Sequence, residues 1–243
     1  MLGHTLIKYL MAQESIELEF TIRDDSSQAI CNHIFNRKAR YVFDAESPSS
    51  AKLIIRDFKP DYCINCIGII KQVAESQDFI KSIKINSLFP HYLEAFCAEY
   101  SSRLLHISTD CVFSGIKGQY TEEDNPDPVD LYGRSKLMGE IIASHVTTIR
   151  TSIIGHELSS KYSLLEWFLN SKSKVKGYKN AIFSGFPTLE LSKIIYNYIL
   201  SNPDLNGIYH VSSKPINKYD LLSMINNIYD LKKDLELDTF LKI

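Results

Sequence analysis

Residues 103–109 read RLLHIST, and residues 131–144 read LYGRSKLMGEIIAS. The first is an apolar run ending in small polar residues, the pattern of a buried strand that stops at a loop. The second has helical spacing and predicts a helix over its whole length. VTTIRTSII (146–154) follows as another strand. Strand, helix, strand in this order is a crossover unit joining parallel strands.

The same alternation extends upstream. IELEFTIRD (16–24), ARYVFD (39–44) and DYCINCIG (61–68) read as strands. PSSAKLIIRDF (48–58) reads as a helix, with Ser47 or Ser49 as its cap, and a long helical stretch runs from about 77 to 100. The expected fold is therefore α/β, a doubly wound, Rossmann-type parallel sheet over residues 1–152. Beyond it the pattern loosens. SLLEWFLNS, LELSKIIYNYIL and KYDLLSMINNIYDL read as helices, and AIFSGFPT and GIYHVSS as short strands ending in loops. Residues 153–243 are expected to form a smaller α+β lobe, with about 181–200 returning to the first domain.

Composition excludes several functions. The chain has 243 residues, 44% hydrophobic and 23% charged, with a formal net charge of -2. That balance provides no basic stripe for nucleic acid, and no apolar run approaches the ~20 residues of a membrane span. No signal peptide is evident, so a cytoplasmic protein is expected. The five cysteines are an odd, scattered set that fits reduced thiols. Cys63 and Cys66 form a C-x-x-C, but on a strand residues three apart point to opposite faces. They read as small packed side chains, and no metal site is expected.

Chemistry gathers around the opening stretch. Ser108 and Thr109 sit just past the carboxyl end of a strand, the edge where open parallel sheets bind ligands. Tyr132 and Lys136 lie one helical turn apart on one face. An ammonium beside a phenol favours the phenolate, which suits proton transfer near neutral pH. Y-x-x-x-K alone is more often a surface pair. Here Thr109 stands 23 positions before Tyr132 (132 − 109), across an acidic, proline-rich loop, YTEEDNPDP. Together these residues suit reduction of a ketone, with hydride reaching carbon while Tyr132 protonates oxygen.

These motifs resemble the extended short-chain dehydrogenase/reductase family, and within it the nucleotide-sugar 4-ketoreductases of the dTDP-4-dehydrorhamnose reductase type. INCIG, the Ile85–Asn86 pair, HISTDCVFSG with its G-Q-Y-x-E-x-D continuation, LYGRSKLMGE, IRTSIIG, SGFPT and GIYHVSS carry the likeness. The resemblance implies Thr109, Tyr132 and Lys136 as catalytic hydroxyl, acid and lysine. Lys136 would also hold the nicotinamide ribose. Gly3, Arg23, Asp44, Asn65, Cys66 and Gly68 would bind the cofactor. Asp110, Cys111, Arg150, Pro187 and Thr188 would border the nucleotide sugar. Cys111 departs from the aromatic usual in the rhamnose enzymes. The pocket is therefore expected to be roomier, and a related 4-keto-6-deoxy sugar, or an N-acetylated one, stands level with rhamnose. At the cofactor, Arg23 favours the 2′-phosphate of NADP and Asp24 disfavours it, with the balance tilting to NADP over NAD. A homodimer is the assembly this family allows. An epimerase or dehydratase ranks second, because no Glu follows Asp110. A regulatory subunit or inactive remnant is the third reading.

One expectation concerns the start of the chain. In this family the first strand runs into G-x-x-G-x-x-G, whose last glycine opens the first helix. Gly3 resembles that last glycine, so the first strand is expected to be missing. The segment DLELDTFLKI likewise resembles an early stop. The strands near 16–23 and 61–67 should then flank a gap or close onto each other, and the chain should bind NAD(P) poorly.

Overall fold

All five residues of VTTIR are buried, where a half-exposed strand would show one face to water. Both faces of this strand are therefore covered, and the sheet is the middle layer of three. The computed structural model describes residues 1–73, 77–172 and 174–240.

The chain begins with helix α1 (Leu2–Leu10), strand β1 (Thr21–Ile22), helix α2 (Ser27–Phe35), strand β2 (Tyr41–Val42) and helix α3 (Ser49–Phe58). Strand β3 (Tyr62–Asn65) follows, then helix α4 (Phe79–Ser82), which runs through a wider π-helical stretch (Ile83–Leu88) into α5 (Phe89–Glu99). Next come β4 (Arg103–Ile107), α6 (Leu131–Met138) and β5 (Val146–Arg150). The remainder comprises β6 (Ile153–Ile154), α7 (Leu164–Asn170), β7 (Lys174–Tyr178), β8 (Ile182–Phe183), β9 (Phe186–Pro187) and α8 (Thr188–Ile194). A second π-helical stretch (Ile195–Leu200), β10 (Gly207–His210), β11 (Ile216–Asn217), α9 (Lys218–Ile228) and β12 (Asp234–Asp238) follow.

The main sheet has four parallel strands in the order β10-β5-β4-β3. Neighbouring positions on its strands feed opposite layers. Leu105 and Ile149 pack with Leu2, Leu6, Leu10, Leu191 and Ile195 of α1 and the α8 region. Leu104 and Val146 pack with Ile55, Phe89 and Leu93 of α3 and α5. A third cluster joins Leu165, Phe168, Val175, Leu222 and Ile225 in the region of α7, α9 and β7. The α/β, Rossmann-type reading of the sheet holds.

Three details differ from the sequence reading. GIYHVSS, read within the smaller lobe, supplies β10, which pairs with β5 at the edge of the main sheet. Its four residues run parallel to Thr147–Arg150, whose own edge needs partners there. IELEFTIRD forms a ladder only over Thr21–Ile22. Helix α6 stops at Met138 instead of continuing to 144. At that point a Cβ on Gly139 would lie 2.0 Å from the Asn86 carbonyl oxygen, so the backbone turns away against the neighbouring helix.

The strands near 16–23 and 61–67 do flank a gap. β1 and β2 form a separate two-stranded parallel sheet. Between them and β3 lies a cleft of about 490 Å³, lined by Phe20, Thr21, Ile22 and Arg23 on one side and by Tyr62 to Ile67 on the other.

The close approach at Gly139 gives a stability test. Gly139→Ala forces the Asn86 backbone to move and should cost about 1–3 kcal/mol, the usual range for overpacking. At roughly 2–4 °C per kcal/mol for a domain of this size, calorimetry should show Tm falling by several degrees. An unchanged Tm would show that this end of α6 has room to spare.

Candidate active site

The site is built where β4 ends. Thr109 is extended and caps the short turn Asp110–Val112, its Oγ1 accepting from the Cys111 N–H at 3.1 Å. The same hydroxyl donates to Asp110 Oδ1 at 3.3 Å. Across from it α6 begins at Asp130, whose carboxylate accepts from the Gly133 N–H at 2.8 Å and pairs with Lys71 at 2.7 Å. A Cβ on Gly133 would sit 2.2 Å from the Cys111 carbonyl oxygen, so only glycine lets the helix lie this close. The contact brings the Tyr132 phenol close enough to Thr109 for its hydroxyl to act on the phenol's titration.

One turn further, Lys136 is only 4% exposed and donates from Nζ to the Ile107 carbonyl at 2.7 Å. It reaches towards the loop after β3, where a Cβ on Gly68 would lie 4.0 Å from Nζ. Asn86 fixes that loop. Its Oδ1 accepts from Ile69 N–H at 2.8 Å, and its Nδ2 donates to the Ile69 carbonyl at 3.2 Å and to Ser135 Oγ at 3.0 Å. Ser87 Oγ donates to the Ser135 carbonyl at 2.8 Å beside it.

Burial dominates the electrostatics. It raises the Tyr132 phenol above its ordinary 10, with Asp110 and Cys111 adding to the rise and the Thr109 hydrogen bond opposing it. This corrects the expectation that Lys136 holds Tyr132 near its phenolate form. The ammonium is engaged at the Ile107 carbonyl, and the phenol keeps its proton. Burial also pulls Lys136 down to about 8, against the attraction of Glu140 and Cys66. Burial and Asp110 push the Cys111 thiol up to about 11, with Sγ 3.7 Å from Asp110 Oδ1.

A groove of about 370 Å³ runs along the carboxyl ends of β1, β2 and β3, lined by Arg23, Asp44, Cys66, Gly68 and Lys81 among others. Gly3 lies at the adjoining cleft, with room for a Cβ 3.7 Å from that of Cys66. Asp24 is turned away from ligand duty, because its Oδ1 accepts from the Ser26 and Ser27 hydroxyls and the Ser27 N–H. Arg23 is exposed at the groove. Asn65 is 2% exposed and spends its amide inside the sheet, on His106 Nδ1 at 3.1 Å and on the Ile67 N–H at 3.0 Å. It shapes the turn after β3. Asp44 accepts from the Glu46 N–H at 2.9 Å at the end of β2.

The residues named for the nucleotide-sugar side separate. Asp110 and Cys111 stand with Thr109 and Tyr132. Arg150 does not reach a pocket. It is 6% exposed and grips Glu140, Nε to Oε1 at 2.9 Å and one terminal nitrogen to Oε2 at 2.7 Å. Ser108 Oγ donates to the same Glu140 at 2.7 Å. A buried guanidinium without an anion is costly, and Glu140 supplies the anion. Thr188 is buried too, accepting from the Thr5 hydroxyl at 3.3 Å and so joining α8 to α1. Pro187 is exposed in β9, paired with Ile154. Cys63 packs beside the α3–α5 core while Cys66 lines the groove, so the two thiols diverge.

Sequence reasoning gave no role to Gly133, Ser135 or Glu140, although all three lie in LYGRSKLMGE, and it used Asn86 only as part of a motif. Their position within one to four residues of Lys136 was the signal. What they touch lies on other elements.

The family model described as the RmlD substrate binding domain matches residues 10–237. The spore coat polysaccharide biosynthesis protein SpsK of Bacillus subtilis is 30% identical over 165 residues, 65% of this chain and 57% of that protein. The dTDP-4-dehydrorhamnose reductase of Aggregatibacter actinomycetemcomitans is 27% identical over 194 residues, 75% of this chain and 66% of that enzyme. The chain thus spans about three fifths of the length of the curated relatives it matches. A crystal structure of a hypothetical dTDP-4-dehydrorhamnose reductase from Sulfolobus tokodaii superposes with a TM-score of 0.80 at 24% identity, over 99% of this chain and 83% of that one, and shows the same fold. With its α/β sheet and a family match across nearly its whole length, the chain belongs to the RmlD substrate-binding domain family.

Proposed function

We propose that the chain carries out NADPH-dependent reduction of a 4-keto-6-deoxy nucleotide sugar, in the manner its reductase relatives are named for. The observation that carries this reading is the meeting of Thr109 and Tyr132 hydroxyls at the carboxyl edge of the sheet, with Lys136 beneath them. A nicotinamide cofactor, when bound, supplies the hydride. The residues present fit such a group. Arg23 faces the groove as an exposed cation while Asp24 is held in a turn, which favours a 2′-phosphate and hence NADP over NAD. Gly68 leaves open the space that a side chain would close between the loop and Lys136.

The chain's own groups then have distinct tasks. Thr109 donates to the sugar carbonyl oxygen and fixes its position. Tyr132, kept protonated by burial, delivers its proton to that oxygen as negative charge develops there. Lys136 holds the ribose hydroxyls and stabilises the phenolate left behind. Cys111 replaces a bulky wall with a small thiol, which admits a larger or N-acetylated sugar. Among the described residues no helix is long and apolar enough to cross a membrane. The site is proposed to work in the cytoplasm on a diffusible nucleotide sugar, in a protein able to form a homodimer.

Replacing the proton donor tests the assignment. Tyr132→Phe should lower kcat about 10²–10⁴-fold in NADPH oxidation assays with a dTDP-4-keto-6-deoxy sugar, leaving NADPH affinity nearly unchanged. Full turnover by the variant would assign the proton to another group.

The lysine predicts a pH limb. Burial lowers Lys136 from 10.5 to about 8, so its charge is present below that pH and is lost as pH rises through it. Tyr132 is shifted the other way and stays protonated. The kcat/KM for reduction should therefore be flat up to about pH 8 and fall above it. A profile that stays flat to pH 10 would show that the charge on Lys136 is not needed.

A further inference from the structure

The loop that starts at Phe113 leaves the turn capped by Thr109 and returns at Asp130, the cap of the helix that carries Tyr132. Its base is closed by Asp127. The Asp127 N–H donates to the Val112 carbonyl at 3.0 Å, and its carboxylate accepts from the Ser114 N–H at 2.8 Å and the Ser114 hydroxyl at 2.6 Å. Pro128 bears on α6 beside it, since a Cβ on Gly133 would lie 2.9 Å from the Pro128 Cβ. The loop therefore presses on the same helix turn that meets the Cys111 carbonyl.

The tip of the loop is fastened to the edge of the main sheet. β10 is the outermost strand, and its outward N–H groups need partners. Val211 turns its N–H inward to the Arg150 carbonyl, so alternation points that of His210 outward. Glu122 Oε1 accepts it at 2.7 Å, and the Tyr120 carbonyl lies 3.2 Å from Nδ1 of the same histidine. The Tyr120 ring stacks on Phe113 with centroids 4.3 Å apart, and the His210 ring meets Phe113 edge-on at 5.5 Å.

The opposite nitrogen of His210 faces the buried ion pair. The register sets His210 beside Arg150 of β5, which puts both side chains on one face. Glu140 accepts from Arg150 Nε and Nη2, and the remaining nitrogen, Nη1, stands 3.3 Å from His210 Nε2. These partners fix the tautomer. A guanidinium can only donate, so Nε2 is the acceptor. A carbonyl can only accept, so Nδ1 carries the proton. Arg150 thereby decides where the histidine proton sits, and the proton decides where the loop is held.

We infer that His210 is a positioning residue of the candidate site: its Nδ1–H, set by Arg150 at the opposite nitrogen, holds the Tyr120 carbonyl and with it the loop that connects Thr109 to Tyr132. The part this plays in turnover rests on the reductase reading given above. The clasp itself does not.

Long-range ¹⁵N–¹H correlation spectra of the ¹⁵N-histidine-labelled chain should show His210 as the neutral Nδ1–H tautomer, its signal identified by its loss in His210→Ala. Asparagine places an amide near the position of Nδ1, and glutamine places one near Nε2. His210→Asn should therefore keep the loop, and His210→Gln should release it. Amides of residues 114–124 should exchange with deuterium about tenfold faster in His210→Gln and His210→Ala, the effect of losing one hydrogen bond, and within about threefold of the wild type in His210→Asn. The kcat for a dTDP-4-keto-6-deoxy sugar should fall about tenfold in the first two and stay within about threefold in the third, with NADPH affinity nearly unchanged in all. An Nε2–H tautomer, or equal loop exchange in the asparagine and glutamine variants, would overturn the clasp. A loosened loop with undiminished turnover would overturn the positioning role. The expected exchange pattern in a wild type that lacks reductase activity would support the clasp and overturn the reductase reading.

Discussion

The candidate site depends on how closely helix α6 can lie against the carboxyl edge of the sheet. Two glycines set that distance. Gly133 rests on the Cys111 carbonyl at the start of the helix, and Gly139 on the Asn86 carbonyl just past its end. Each contact is shorter than a Cβ would permit, so the helix is held at backbone distance at both ends. With both ends fixed, Tyr132 and Lys136 have little freedom in where they point. One meets the hydroxyl at the end of β4, and the other meets the carbonyl of Ile107 two residues earlier. The geometry of the candidate site is a consequence of packing at two glycines.

That same closeness decides the electrostatics. A phenol and an ammonium one turn apart would stabilise each other's charged forms in water. Inside the site, burial penalises each charged form, so both groups move towards neutrality. The tyrosine becomes a better-kept proton store, and the lysine a cation that depends on pH. Glu140 moderates this. It sits between Ser108, Arg150 and the field of Lys136, and its carboxylate is fully hydrogen-bonded. Arg150 extends the network to His210 Nε2 at 3.3 Å, and Glu122 of the acidic loop accepts from the His210 N–H at 2.7 Å. The buried ion pair thereby joins the end of α6, β5, β10 and the loop over the site.

Much of this was legible in the sequence, for physical reasons. A strand buried on both faces reads as a continuous apolar run, so the parallel sheet was evident from RLLHI and VTTIR. A helix brings residues four apart to one face, so the shared face of Tyr132 and Lys136 was evident as well. Contacts between elements were not. The resemblance placed Arg150 on the nucleotide-sugar side. Nothing local shows that Glu140, ten residues earlier, accepts from two of its nitrogens and from the Ser108 hydroxyl at the same carboxylate. The early end of α6 was hidden for the same reason, since IIAS continues a helical pattern and the obstacle belongs to Asn86. Thr188 was misjudged because its partner, Thr5, lies at the opposite end of the sequence.

Arg23 and Asp24 show how local bonds can separate two neighbouring charges. Arg23 and Asp24 stand side by side at the end of β1, and their charges argue for opposite ligands. Asp24, however, holds three groups of Ser26 and Ser27 at the start of α2, and those bonds keep its carboxyl below the usual carboxylate range. These bonds all fall on Oδ1 and tie the carboxylate to the turn before α2. Arg23, by contrast, is exposed and lines the groove. The two neighbouring charges thus end in different surroundings, one tied to the turn that leads into α2 and the other exposed at the groove.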